Sequence, residues 1–298
     1  MRITALRFLR LFGFSLPVLV LTAGVFSPAQ ASAQDWQKSY SIAGKANLSI
    51  ATGDAALTLR SCSECHAIKI NVDWRDRHPS DFNLKEVQSG DQVTFQLEEK
   101  AQMGIHFTVR NWHSPQVTVE TPASLDLEAK TSDGALKISG VEGNLQLRTS
   151  DGAVDVEDVG GSLHLTASDG SIKIHNLTGT LESRSSDGRA SIDGKFSGLQ
   201  VHTSDGSLDL NVQEGSRLAS SSRIESSDGH VTVHLPHSLA ADLDVHAGDG
   251  KIECTLPLTM DGFSSDHGSG HNLRGHLNGG GPTITIHTSD GNVSLSGQ

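Results

Sequence analysis

"TSDGALKISGVEGNLQLR", residues 131–148, is followed without a break by "TSDGAVDVEDVGGSLHLT" at 149–166 and "ASDGSIKIHNLTGTLESR" at 167–184. The aspartates of this motif stand at Asp133, Asp151, Asp169, Asp187 and Asp205, eighteen residues apart, and then at Asp228, Asp249 and Asp290 after wider gaps. Three and five residues beyond them come apolar pairs: Leu136 and Ile138, Val154 and Val156, Ile172 and Ile174, Leu208 and Leu210. Apolar residues recur at twelve and fourteen, as Leu145 and Leu147, Leu163 and Leu165, Leu199 and Val201. Alternation with a period of two is the pattern of a strand with one buried face. A second glycine lies ten residues after the Asp, at Gly143, Gly161, Gly179 and Gly215, so each unit reads strand, turn, strand, turn.

A single flat sheet of such strands leaves its apolar face in water. Winding solves this: if successive units stack about 4.8 Å apart, the two strands of a unit turn their apolar faces toward each other inside a narrow tube. The expected fold is therefore all-β, a parallel β-solenoid of about 18-residue coils over residues 123–298, each coil stabilised by its neighbours. An antiparallel meander has the same spacing but needs a second layer, and after Thr121 there is no amphipathic helix to supply one. Residues 34–122 hold all three tryptophans and less regular strands such as "QVTFQLEE" and "QVTVETP". They are expected to form an irregular β-rich cap over the open end, because an uncapped end aggregates.

Turn chemistry accounts for the Ser-Asp-Gly corner. Asp accepts hydrogen bonds from amides just ahead of it, and Gly134, Gly152, Gly170, Gly188 and Gly206 supply positive φ. The competing expectation is a weak calcium ridge along Asp133, Asp151, Asp169, Asp187 and Asp205, since stacked carboxylates about 5 Å apart repel by roughly 1 kcal/mol even in water. Each unit has one such Asp, fewer than the nonapeptide calcium rolls use.

Residues 1–33 carry Arg2, Arg7 and Arg10, an apolar run from Leu11 to Phe26 and then "SPAQASA". This is the pattern of a signal peptide, with the cut expected after Ala33. No later segment is long enough to span a bilayer. Losing three arginines takes the formal charge from -12 to -15, which argues against nucleic acid as a partner. The compartment expected is exported, either periplasmic or extracellular.

"CSECH", Cys62 to His66, matches the C-x-x-C-H attachment pattern of a c-type haem, with His66 as axial ligand and Met103 as a sixth ligand. Its flanks alternate as strands, so the competing expectation is a hairpin whose two thiols form a small disulfide in an oxidising compartment or exchange as a redox pair. Cys254 occupies the inward slot of Ile138 and Val156, so a buried free thiol is expected. His267, His271 and His276, in a glycine-rich excursion, are a compositional zinc candidate that matches no fixed spacing. His164, His175 and His202 fall at different repeat positions, and the histidines suggest no column. An enzyme on such a scaffold needs clustered carboxylates and aromatic faces, yet Phe196 and Phe263 are the only aromatics after Thr121, and no triad or phosphate-loop motif is present.

The stretches "SSDGHVTVHLPHSLAADLDVHAGDGKI" and "HNLRGHLNGGGPTITIHTSDGNVSL", with the Asn-Gly-Gly-Gly turn at Asn278 to Gly281, resemble the "putative adhesin" domain family of exported bacterial proteins. The resemblance covers roughly Trp36 to the end and is strongest after Thr121. It implies a parallel β-solenoid and an envelope or adhesive role; C-x-x-C-H is not part of that family's pattern. The expected function is a non-enzymatic exported envelope or surface protein, adhesin-like or scaffolding, without a cofactor and with an unnamed envelope or extracellular partner. The alternatives are a periplasmic haem c or thiol redox protein and a cation-binding solenoid.

Overall fold

Apolar residues alternating with Ser, Thr, Asp and Lys give a chain one way to bury its Leu, Ile and Val, as strands with one dry and one wet face. The structure, a computed structural model, describes residues 35–100, 113–265 and 271–298. Among them twenty-three strands form one solenoid-like sheet, and the sole helical element is a 3-10 turn at Pro79–Asp81. The expected signal peptide and Met103 lie outside the described residues.

The first seven strands are β1 (Trp36–Ser41), β2 (Ala46–Ala51), β3 (Ala56–Cys62), β4 (Ala67–Asp73), β5 (Phe82–Ser89), β6 (Gln92–Glu99) and β7 (Gln116–Pro122). The regular repeat supplies β8 (Leu125–Lys130), β9 (Leu136–Ser139), β10 (Glu142–Arg148), β11 (Val154–Glu157) and β12 (Gly160–Ala167), two long strands β13 (Ile172–Ser185) and β14 (Arg189–Thr203), and β15 (Ser207–Val212). After these come β16 (Ser222–Ser226), β17 (Val231–Leu235), β18 (Ala241–Ala247), β19 (Ile252–Cys254), β20 (Thr259–Ser265), β21 (His271–Leu277), β22 (Thr283–Thr288) and β23 (Val293–Gly297).

Pairing sorts the strands into two stacks. On the first, face A, Leu48 of β2 lies opposite Leu127, and Leu127, Leu145, Leu163, Leu181 and Leu199 follow one another in parallel register. On face B the same holds for Leu57, Leu136, Val154, Ile172, Ala190 and Leu208. The long strands β13 and β14 serve face B with their first halves and face A with their second. Both apolar columns are buried and belong to one continuous core. Burying each Leu, Ile or Val stabilises by about 1.5–3 kcal/mol, so the core is a sum of many equal layers.

Chain order and spatial order part company at both ends. The pair β2 and β3 lies between β6 and β7 on one side and β8 and β9 on the other, all in parallel. At the far end β22 and β23, the last strands, are inserted between β16 and β17 and the earlier β18 and β19. Antiparallel strands then close the stacks: β5 on β6, β4 and β1 beyond β7, and β21 and β20 beyond β18. The wide gaps before Asp249 and Asp290 are this threading, seen from the sequence.

Candidate functional site

The corner that dominates the sequence works by close stacking. A Cβ placed on Gly152 would lie 2.2 Å from the Gly134 carbonyl oxygen, and one on Gly170 would lie 2.1 Å from that of Gly152. The same contact recurs for Gly206 on Gly188, Gly229 on Gly206, Gly291 on Gly229 and Gly250 on Gly291. Positive φ is not the general reason for glycine here: of the five glycines expected to need it, Gly188 alone has it, at 96°. The absent side chain is what lets the next unit sit down.

Nor does the aspartate close the turn. The buried Thr149 hydroxyl accepts from the Gly152 amide at 3.1 Å and donates to the Ser132 carbonyl at 3.1 Å. The amides of Ser150 and Asp151 both donate to that same carbonyl at 3.1 Å, and Ser168 and Asp169 repeat the arrangement on Ser150. Asp133, Asp151, Asp169, Asp187 and Asp205 are all exposed. The ridge begins one unit earlier than the motif shows: Gly134 stacks on the Ala55 carbonyl, next to Asp54. Burial and then the charge of Asp133 raise the Asp54 pKa, as like charges at close range must.

Cys62 and Cys65 are joined across the segment between β3 and β4, with Cα atoms 5.7 Å apart. This segment is a crossover, not the expected hairpin: β3 and β4 each pair with β7, which runs between them. Cys62 Sγ lies 3.2 Å from the Thr121 carbonyl oxygen on β7, and His66 is exposed beside β4. Cys254 is free, as its slot implies, but half-buried rather than buried. It sits on β19, which among the described residues pairs with β23 alone; partial burial still raises its pKa. Of the zinc candidates, His267 lies outside the described residues, His271 opens β21, and His276 Nδ1 is 2.7 Å from Asp242 Oδ1.

Face A carries a feature the sequence reading missed. A shallow depression of about 370 Å³ is lined by Glu182, Arg184, Gln200, His202, Arg223 and Glu225. Glu182 pairs with Arg184 and, at 3.0 Å, with His164; Glu225 pairs with Arg223 at 2.9 Å and His202 at 3.5 Å. The hydrogen bonds from Arg184 and Arg223 hold the Glu182 and Glu225 carboxyls below the usual range. The guanidinium groups are the more exposed partners, Arg184 at 60% against 29% for Glu182 and Arg223 at 65% against 34% for Glu225. Arginine is therefore the outermost charge of the depression. His164, His175 and His202 share no row, but His202, Glu225, His287 and His246 occupy successive strands at one register position. Threading of β22 beside β16 brings them together, and 18-residue counting cannot find them.

No curated protein matches the chain. Among solved structures, a "putative lipid binding protein" from Parabacteroides distasonis is similar at a TM-score of 0.50 and 14% identity, covering 88% of this chain and 96% of that one. A "putative adhesin" from Parabacteroides merdae is similar at a TM-score of 0.47 and 14% identity over 88% and 96%. A "putative cell adhesion protein" from Clostridium sporogenes is similar at 0.29 and 12% identity over 89% and 100%. At such identities the likeness concerns fold alone. The Toastrack DUF4097 family pattern matches residues 45–296, which takes in both faces, the corner ridge and the two threaded ends. The chain belongs to the Toastrack DUF4097 family.

Proposed function

We propose that the protein is an exported, non-enzymatic envelope or surface scaffold, adhesin-like in use, built from 18-residue coils whose wet faces present registered rows of side chains to a partner. The observation that carries this reading is the arginine-topped depression on face A, where coil stacking holds Arg184, His202, Arg223 and their glutamates at fixed spacing. Such a row is rigid before binding, so little side-chain entropy is lost on contact.

Neither haem nor calcium belongs to this reading. The joined Cys62 and Cys65 act as a clip over the end of β7, and the aspartate ridge is a row of corners. Protein exported with its own leader is expected to be colourless, to resist alkylation at Cys62 and Cys65 until reduced, and to melt at the same temperature with and without chelator. The binding role is tested by photo-crosslinkers at Gln200 on face A and Asp209 on face B, exposed to native envelope. One product formed from face A and lost in Arg184→Ala/Arg223→Ala supports the role. Identical products from both faces, or a product that survives the substitutions, overturn it.

A further inference from the structure

We infer that His246 and His287 form a two-imidazole site for a divalent transition-metal ion on face A. The two residues lie opposite one another on the parallel strands β18 and β22. Their rings are stacked with centroids 5.1 Å apart and planes 5° from parallel. His246 Nδ1 lies 2.5 Å from the Asn272 side-chain oxygen. A carbonyl accepts only, so the proton sits on Nδ1 and the Nε2 lone pair is left for a ligand. This is the second-shell arrangement that orients metal-binding imidazoles. Among the described residues, the His287 ring has no hydrogen-bond or ionic partner, in contrast to His164, His202 and His276, which face carboxylates.

Tetragonal copper(II) coordination with cis bonds of about 2.0 Å brings two nitrogens to about 2.8 Å. The exposed His287 ring can turn toward His246 to reach this, since water is what it displaces. The next group in the row, Glu225, is engaged by Arg223 and His202. No set of three or more His, Cys, Asp or Glu side chains among the described residues is placed to hold an ion. The site therefore has two protein ligands and open positions filled by water or by a donor from a partner. Copper(II) is favoured over zinc on such nitrogen ligands. The site stands apart from the scaffold reading above and does not depend on it.

The test is titration of the full chain with Cu²⁺ alone, followed by calorimetry and by electron paramagnetic resonance. The tightest site should take one ion per chain and show two imidazole nitrogens. His246→Gln and His287→Gln should each weaken it at least ten-fold with an unchanged melting temperature, and Asn272→Ala should weaken it several-fold. Wild-type affinity in the doubly substituted chain overturns the inference. So does loss of the site on replacing His271 and His276 while His246 and His287 are intact.

Discussion

Gly170→Ala isolates the stacking argument. Gly170 has no positive φ to lose, so alanine is acceptable to its backbone, and the whole effect must come from the neighbouring unit. The added Cβ would meet the Gly152 oxygen at 2.1 Å and its carbon at 2.8 Å, whereas real Cβ contacts hold to about 3.0 Å or more. The units must part locally by roughly 1 Å. Two hydrogen bonds cross this seam beside the glycine, from the Ser168 and Asp169 amides to the Ser150 carbonyl, each at 3.1 Å. Losing both at about 0.5–1.5 kcal/mol each, with overpacking strain of about 1–3 kcal/mol, gives a destabilisation of about 2–6 kcal/mol. Gly215→Ala is the control: its φ is 88° and nothing lies within 4 Å, so its cost is the left-handed penalty of about 1–2 kcal/mol. Urea unfolding at constant m-value measures both. If Gly170→Ala proves no more harmful than Gly215→Ala, close approach is not what the corner glycines are for.

Three further outcomes are expected. Thr149→Val should cost about 1–3 kcal/mol in the same assay, because it removes the hydroxyl that accepts from the Gly152 amide and from the buried Thr131 hydroxyl, at about 0.5–1.5 kcal/mol each; Thr149→Ser should stay near wild type. Since the folded pKa of Asp54 is raised, stability falls as pH rises through that value. Asp54→Asn should therefore be more stable than wild type at pH 7, by under about 1 kcal/mol for so exposed a group, and the gain should vanish in acid where both states are protonated. The hydrogen bond from His175 to Asp193 raises the His175 pKa, so its stabilising effect is present at low pH and lost as pH rises through the folded value. An NMR titration should place the His175 midpoint above the ordinary imidazole range, and Asp193→Asn should bring it down.

Much of the fold was legible because burial in a strand depends on local alternation alone. Leu136, Ile138, Leu145 and Leu147 are buried as their spacing required, and the eighteen-residue step between aspartates is also the step between paired leucines. What escaped the sequence depends on which units touch. Asp54 stands in "TGDA", with glycine and aspartate exchanged, and only contact with Gly134 shows that it opens the ridge. The half-exposure of Cys254 goes with a strand, β19, that among the described residues pairs on one side only, a fact about the end of the stack that its repeat position does not carry. His246 and His287 are forty-one residues apart and meet because β22 returns to lie beside β18. In the face A depression Glu182 and Gln200 are one repeat apart, but Arg223 joins them across a wider step because β16 pairs with β14.

The threaded ends also decide where such a molecule can change its length. A simple stack can gain or lose a unit at either tip, but here each tip is interlocked: β2 and β3 are held between later strands, and β22 and β23 between earlier ones. A unit added after β23 would emerge in the interior, with no free layer to join. Duplication of an eighteen-residue segment between Thr131 and Gly206 disturbs neither lock and lengthens both faces by one row. The length of this chain is therefore adjustable from its middle, like a ladder whose end rungs are fixed.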